Sequence, residues 1–360
     1  MNLLERELHY PMGDRLPAPG EAIEVAPGIR WVRMGLPFAL DHVNIWLLRD
    51  ERDGPEGRVE GWTVVDCCIA ADASRAQWEQ VFATQLDGLP VLRVIVTHMH
   101  PDHIGLADWL CTRWNAPLWI SATDFHVARG LTAPGAADNT AGGDEAADFF
   151  ASHGLVAGEA LQRIRDRTGY YRNLVPSVPR SFVRLLDGGT VTIGGRAWRC
   201  IDGHGHAPEH IALYCEEINL LIAGDMMLPR ISTNVSVHSD EPEADSLRLF
   251  LESIVRFRDL PADVLALPSH GKPFTGVHRR IEQLQEHHRD RLADLFAACA
   301  ERPLSAAEAL PVLFKRELDV HQLTFAMGET VAHLNLLWHA GQLQRRRGED
   351  GILRFGIRAA

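Results

Sequence analysis

The sequence has no CxxC pair and no cysteine spacing that would build a disulfide framework. Its six cysteines, Cys67, Cys68, Cys111, Cys200, Cys215 and Cys299, read as free thiols of a reducing compartment, which fits the cytoplasm. No unbroken apolar run reaches the roughly eighteen residues a membrane span needs. The opening Met1-Asn2-Leu3-Leu4-Glu5-Arg6-Glu7 has no basic stretch ahead of an apolar one, so neither an export signal nor a membrane span is expected. Basic residues are outnumbered. With 36 Lys and Arg against 48 Asp and Glu the formal charge is −12, and the field of the whole molecule offers no general attraction to nucleic acid or anionic lipid. Internal repeats and low-complexity tracts are also missing, which excludes a repeat array.

What is present is an ordinary folded composition, 46% apolar and 23% charged over 360 residues. That length suits one large unit plus a smaller one. Between residues 21 and 68, β-prone runs at 22–25, 29–34, 43–48 and 62–65 predict antiparallel strands. A helix over 71–86, with Trp78 and Val81 on its apolar stripe, leads into the strand 91–96. A helix over 104–114 and a strand over 117–120 continue a layered α/β rhythm. After the turn Asp187-Gly188-Gly189, runs at 191–193, 197–201, 211–215 and 220–223 predict a second sheet, and 264–267 one more buried strand. From residue 281 the pattern turns helical, over 281–300, 305–314 and 325–340, with a small hairpin over 343–355. The expected units are therefore 1–280 and 281–360. Inside the first, residues 131–182 hold a Gly/Ala-rich connection (Pro134-Gly135 through Gly142-Gly143), a predicted helix over 158–168, and the aromatics Phe149, Phe150, Tyr170 and Tyr171. An insertion this long is either a lid or pocket wall, or a helical pair that covers the sheet.

The densest chemistry is Thr97-His98-Met99-His100-Pro101-Asp102-His103. It places three imidazoles and a carboxylate directly after a buried strand, with ligands alternating so that one loop can serve two metal ions. Other strand ends carry the same residue types: Gly224-Asp225, Ser269-His270-Gly271, and the turn Gly203-His204-Gly205-His206-Ala207-Pro208-Glu209-His210.

The order His-x-His-x-Asp-His, Gly-His, Gly-Asp, Ser-His-Gly resembles the metallo-β-lactamase-fold hydrolase superfamily, and in particular its glyoxalase II-like dinuclear members. The resemblance covers roughly residues 20–280. It implies an α/β fold, the αββα sandwich, with a metal site along one edge of the two sheets. It also implies that His98, His100 and His206 hold one metal, that Asp102, His103 and His270 hold the second, and that Asp225 bridges them. Imidazole suits Zn²⁺, with Fe or Mn as other ions the set accepts, and a carboxylate suits a bridge between cations about 3.5–4 Å apart. Zinc lowers the pKa of bound water to about 7, so a metal-bridged hydroxide attacking an acyl carbonyl is the expected chemistry, with Asp102 and Asp225 as its catalytic carboxylates. Asp66 and His210 are expected to support the ligands from behind, and His204 is left without a role. His42 and Asn44 are strand-cap residues or substrate contacts. His126, His153, His238 and His321, each alone, read as ordinary surface or core residues.

Departures from the pattern narrow the class. The antibiotic-hydrolysing members carry Cys where this chain has Asp225, and flavin-linked diiron members carry Glu where it has His100. Sulfur dioxygenases use only part of the set. The remaining expectation is hydrolysis of a thioester or ester of a small acyl substrate, an acyl-CoA-like one among the candidates, with a lactone as an alternative and Phe149, Tyr170 and Tyr171 lining the acyl site. The segment Glu329-Thr330-Val331-Ala332-His333-Leu334-Asn335-Leu336-Leu337, with Gly341-Gln342-Leu343, resembles the winged-helix-like tail of a branch whose activities also include RNA cleavage. Arg279-Arg280, His287-His288-Arg289 and Arg345-Arg346-Arg347 would then grip RNA or DNA, against the acidic charge of the chain. A binding module with a purely structural metal is disfavoured, because structural zinc sites close with four ligands. The apolar stripe Leu334, Leu337 and Trp338 faces either the first unit or a partner in a homodimer.

Overall fold

Four runs in the first 65 residues alternate inward and outward side chains and pair as a meander: β1 (Ala22–Ala26), β2 (Ile29–Gly35), β3 (His42–Gly54) and β4 (Gly57–Val65). Three parallel strands extend it, β5 (Val91–Ile95), β6 (Leu118–Ile120) and β7 (Val183–Arg184), giving a seven-stranded sheet in sequence order. A second, five-stranded sheet contains β8 (Thr190–Ile193), β9 (Arg196–Gly203), β10 (His210–Cys215), β11 (Leu220–Gly224) and β12 (Leu265–Pro268), the last two parallel. The computed structural model describes residues 4–357 apart from 55–56, 134, 136–141 and 157.

The helices are α1 (Asp72–Thr84), α2 (Pro101–Ile104), α3 (Ala107–Trp114), α4 (Ala122–Leu131), α5 (Gly143–Ser152), α6 (Glu159–Asp166), α7 (Tyr170–Leu174), α8 (Ser246–Val255), α9 (Val277–Glu301), α10 (Ala306–Leu313) and α11 (Val320–His339). Period-two alternation assigns the layers. In β3, Val43, Ile45 and Leu47 pack with Trp78 and Val81 of α1 and Leu110 of α3. From the same strand Trp46 and Leu48 turn to the other side, against Cys200, Ile211, Leu213 and Ile222 of the second sheet. That sheet's opposite face, Ala212, Tyr214, Leu221 and Ala223, packs on Phe250 of α8, Leu284 of α9 and Val331 of α11. Three apolar layers thus fill three gaps, and the result is the expected αββα sandwich.

The insertion divides between the two outer layers. Ala146, Phe150 and Ile164 of α5 and α6 join the C-terminal helices, where Ala307 N donates to His153 O at 3.1 Å, whereas Tyr171 and Val175 join the first sheet's layer. Helix α5 was not anticipated. Asp144 and Glu145 in its first turn complement the helix dipole, and its buried face carries Ala146, Ala147, Phe149 and Phe150. Of the Gly/Ala-rich connection, residues 134 and 136–141 lie outside the described residues.

The boundary expected at 280 falls inside α9, which begins at Val277. Ser305 and Glu308 form a capping box on α10, and Asp319 caps α11, which starts five residues before the predicted 325. Gly341, at φ 71°, ends α11, and β13 (Gln344–Arg347) pairs with β14 (Leu353–Gly356) in a hairpin. Leu334 and Leu337 are buried in the intramolecular core, and Trp338 lies beneath the Arg345 guanidinium at 3.8 Å. No helix among the described residues is long and apolar enough to cross a membrane.

Candidate metal centre

Both sheets deliver ligands to one edge. Past the end of β5 the chain runs through His98 and His100 into α2, whose first residue, Pro101, has no N–H to leave unpaired at a helix start. Asp102 and His103 follow on that turn. The loop between β9 and β10 carries His206, Asp225 follows the last residue of β11, and His270 follows β12 by two residues. Ile211 N donates to Thr97 O at 2.8 Å and Asn44 N to Ser269 O at 2.7 Å, tying the strand ends of the two sheets together.

All seven side chains converge. His98 Nε2, His100 Nδ1 and His206 Nε2 lie 3.0, 3.1 and 3.2 Å apart, a triangle of ring nitrogens aimed at one point. A second group forms beside it: Asp102 Oδ2 is 3.5 Å from His103 Nε2 and 3.4 Å from His270 Nε2. Asp225 faces both. Its Oδ2 is 3.3 Å from His206 Nε2, while its Oδ1 is 3.4 Å from His270 Nε2 and 3.7 Å from His103 Nε2.

The far side of each ring is held. His206 Nδ1 donates to Asn234 O at 2.7 Å and His270 Nδ1 to His42 O at 2.6 Å, so in both rings Nε2 carries the lone pair. His103 Nδ1 donates to Asp66 Oδ2 at 2.9 Å, and Asp66 also accepts from Thr97 N at 2.8 Å. Asp66 sits at φ 65°, a left-handed conformation that a short polar side chain tolerates. His210 stands behind Asp225, where its Nε2 accepts from Asp225 N at 3.2 Å. Gly224 has φ 54°, and a Cβ there would collide with the His210 ring at Nε2, so only glycine fits before Asp225.

The donor set fits a pair of divalent cations. His103 Nε2 and Asp225 Oδ1 are buried without a hydrogen-bond partner, although each points into the cluster. Buried polar atoms left unpaired are costly, and a cation is the partner this arrangement lacks. Burial, reinforced by the neighbouring imidazoles, holds His98 and His100 well below the usual imidazole range, keeping them neutral as ligands must be. Burial would raise the Asp102 carboxyl, but His103 and His270 outweigh it and bring it down to about 2. The second group therefore concentrates carboxylate charge, the hard-oxygen half of the site.

A model of the metallo-beta-lactamase superfamily matches residues 39–270, and one of the metallo-beta-lactamase-like C-terminal domain matches 292–358. The chain belongs to the metallo-beta-lactamase superfamily. A solved relative of the superfamily, a beta-lactamase domain protein from Burkholderia ambifaria, is 53% identical, with a TM-score of 0.92 over 99% of this chain and 100% of its own. A metallo-beta-lactamase family protein from Thermus thermophilus is 30% identical, with a TM-score of 0.72 over 93% of this chain and 100% of its own. Among curated proteins, the probable metallo-hydrolase YqjP of Bacillus subtilis is 25% identical over 319 residues, 85% of this chain and 91% of that protein.

Other candidate residues lie elsewhere in this superfamily framework. Asn44 is fully committed: its Nδ2 donates to Pro268 O and Gly271 O at 2.7 and 3.0 Å, and its Oδ1 accepts from Trp31 Nε1 at 2.8 Å. It fastens the loop that carries His270. His42 does likewise, accepting from Gly271 N at 2.8 Å. Tyr171 is buried, and its hydroxyl donates to Met99 O at 2.5 Å. Phe149 is buried beside Phe150 and His153, and Tyr170 is half-buried with the Arg167 guanidinium 4.2 Å over its ring. His204 bonds Pro208 O at 2.6 Å, away from the ligand cluster. His126 is exposed, His153 buried and His238 half-buried, and the side chain of His321 lies outside the described residues. Sequence reasoning missed Asp124, which is buried and accepts from Met99 N at 2.8 Å and Glu209 N at 2.6 Å, joining the two histidine loops. Burial pushes its carboxyl up to about 6. Its one local signal, Ser121 capping α4 three residues earlier, marks a helix start and nothing about metal.

Proposed function

We propose that the chain is a dinuclear metal-dependent hydrolase of small acyl thioesters or esters, lactones included. One observation carries the reading: Asp225 splits its two oxygens between two ligand groups, Oδ2 beside His206 and Oδ1 beside His103 and His270. His98, His100 and His206 would hold one cation, Asp102, His103 and His270 the other. When bound, such a pair supplies Lewis acidity and brings the pKa of a water to about 7, with Zn²⁺ as the ion the imidazole-rich set favours. The protein's own part is to keep His98 and His100 neutral, Asp102 and Asp225 ionised, and all of them fixed in place. Asp102 and Asp225 are the carboxylates beside the reacting oxygen, and the surrounding imidazoles hold both ionised, so they would orient the water as anionic acceptors. The description of YqjP as a probable metallo-hydrolase agrees with this reading.

For the substrate, α7 packs against α2, which brings Tyr170 and Tyr171 next to the ligand loop. In this reading Tyr170 meets the acyl group and Tyr171 stiffens the wall behind it, while Phe149, expected at the acyl site, packs instead with the C-terminal helices in the other outer layer. Nucleic acid is a poorer fit. Arg280 and His288 are buried, and Arg279 pairs with Glu7 at 2.8 Å and Glu282 at 2.9 Å. The six cysteines are all free and buried, which supports a reducing, cytoplasmic setting.

The test is turnover of a panel of acyl thioesters, esters and lactones, with single-stranded RNA alongside. Acyl hydrolysis should vanish with a chelator and return with Zn²⁺, Mn²⁺ or Fe²⁺. Metal-dependent RNA cleavage without acyl turnover would replace this reading with a nuclease.

A further inference from the structure

The residues on either side of His98 have both of their backbone polar groups engaged. Thr97 N donates to Asp66 Oδ1 and Thr97 O accepts from Ile211 N, each at 2.8 Å. One residue past the ligand, Met99 N donates to Asp124 Oδ1 at 2.8 Å and Met99 O accepts from the Tyr171 hydroxyl at 2.5 Å. The grip on Met99 comes from two helices of the first outer layer, with Asp124 in the first turn of α4 and Tyr171 on α7.

Asp124 is fully buried, and its two oxygens serve different loops. Oδ1 takes Met99 N, between His98 and His100, whereas Oδ2 takes Glu209 N at 2.6 Å, three residues after His206. Ser121 Oγ, 3.2 Å from Oδ2, steadies the carboxylate from the start of α4, and Glu209 Oε2 returns the contact by accepting from Thr123 N at 3.1 Å. One helix start therefore ties the ligand loop of the first sheet to the histidine loop of the second. Both donors are backbone N–H groups, which a carboxylate satisfies on its two sides and an amide cannot.

His100 depends on this tie more than its neighbours do. Behind the other two rings stand fixed oxygens, Thr97 Oγ at 3.0 Å from His98 Nδ1 and Asn234 O at 2.7 Å from His206 Nδ1. His100 turns its Nδ1 into the triangle, and among the described residues nothing accepts from its Nε2. Its direction is set by the backbone that carries it, and that backbone follows Met99.

We propose that Asp124 is a positioning residue of the metal centre, which, with Tyr171 opposite it on Met99, fixes how His100 and His206 approach the cation they share with His98. The proposal rests on reading those three histidines as a metal triad. Groups that orient ligands from behind govern metal affinity even though they never touch the ion. The second ligand group is braced by other oxygens, Asp66 Oδ2 behind His103 and His42 O behind His270. Asp124 should accordingly act on one cation and leave the other alone.

Full-length Asp124→Asn, Tyr171→Phe and Asp66→Asn variants, stripped of metal and titrated with Co²⁺, test this by affinity against a competing chelator and by the visible Co²⁺ spectrum. In Asp124→Asn the amide nitrogen must face Met99 N or Glu209 N, donor against donor, so one Co²⁺ equivalent should weaken about tenfold or more and its band shift, with the other within about threefold of the parent. Asp66→Asn should weaken the opposite equivalent. Tyr171→Phe should weaken the same equivalent as Asp124→Asn by about threefold, and the two together should cost less than the sum of their separate effects, because both act on Met99. Parental affinity and spectrum in folded Asp124→Asn overturns the proposal, as does an equal loss at both equivalents, which is what general loosening of the fold would give. Should Asp124→Asn fail to fold, Tyr171→Phe, which leaves the carboxylate in place, decides alone, and a parental result there counts against the proposal. Two Co²⁺ ions in the parent with Asp124→Asn unchanged sinks this inference only, whereas a parent that takes up no Co²⁺ ends the metal reading and this inference with it.

Discussion

At the scale of single residues, the centre depends on what stands behind each ligand as much as on the ligands. Asp66 shows this most directly, because one carboxylate orients His103 and fixes Thr97 N at the start of the ligand loop. Asp66→Asn keeps the shape and tolerates the left-handed backbone but removes the charge behind His103. Metal titration should then show affinity at the second group falling about 10- to 100-fold with the fold retained. Unchanged affinity would remove Asp66 from the account. The seven ligand candidates were legible because four lie in one seven-residue stretch and the others directly follow or join strands. Asp124 and Asn234 were not, since their partners are remote in sequence and nothing local distinguishes them from surface polar residues.

At the scale of elements, strands with one face on each neighbouring layer were readable from their alternation, whereas the outer half of the β3–β4 hairpin was not. Residues 57–60 are exposed and carry a single apolar side chain, Val59, so that stretch continues the ladder by backbone pairing and the surface ion pairs Arg49–Glu60 and Arg58–Glu51, without the alternation that marks a buried face. Helix α5 was hidden for a different reason, since its glycine-rich approach argued for a loop and its burial against the C-terminal helices is tertiary. The helical layer also stores an acid sensitivity. Burial brings His153, His287 and His333 down to about 4 and His288 to about 2, from an ordinary 6.5. Imidazoles depressed in this way lend stability that is complete above about pH 6.5 and is lost as the pH falls through their folded values. The unfolding free energy of the metal-stripped protein, read from urea titrations, should therefore drop between about pH 6.5 and 4, by less than the histidines alone would give, because Glu329, raised to about 7, and Asp124, raised to about 6, add stability over the same fall. A value that stays level across that range would contradict the buried, neutral assignment.

At the scale of the whole molecule, the two stretches matched by separate family models share one core. Leu221 and Ala223 of the second sheet pack in the same apolar cluster as Leu284, Val331 and Leu337 of the C-terminal helices. Truncation after residue 276 would strip that face and free the irregular segment 226–244, which Arg280 of α9 holds at Leu228 O and Ile231 O. The shortened chain should lose cooperative thermal unfolding by circular dichroism and expose apolar surface to dye; a sharp transition with parental metal uptake would show instead that the first unit stands alone. The sequence by itself determined the fold class and the ligand types, because strand alternation and a dense histidine–aspartate loop are local patterns with local causes. Only the tertiary structure decided how Asp225 divides its oxygens, that Asn44 and Arg280 serve as internal fasteners, and that the buried Asp124 joins two histidine loops more than a hundred residues apart. Those outcomes depend on which remote backbone groups burial leaves in need of a partner, and no local pattern encodes that.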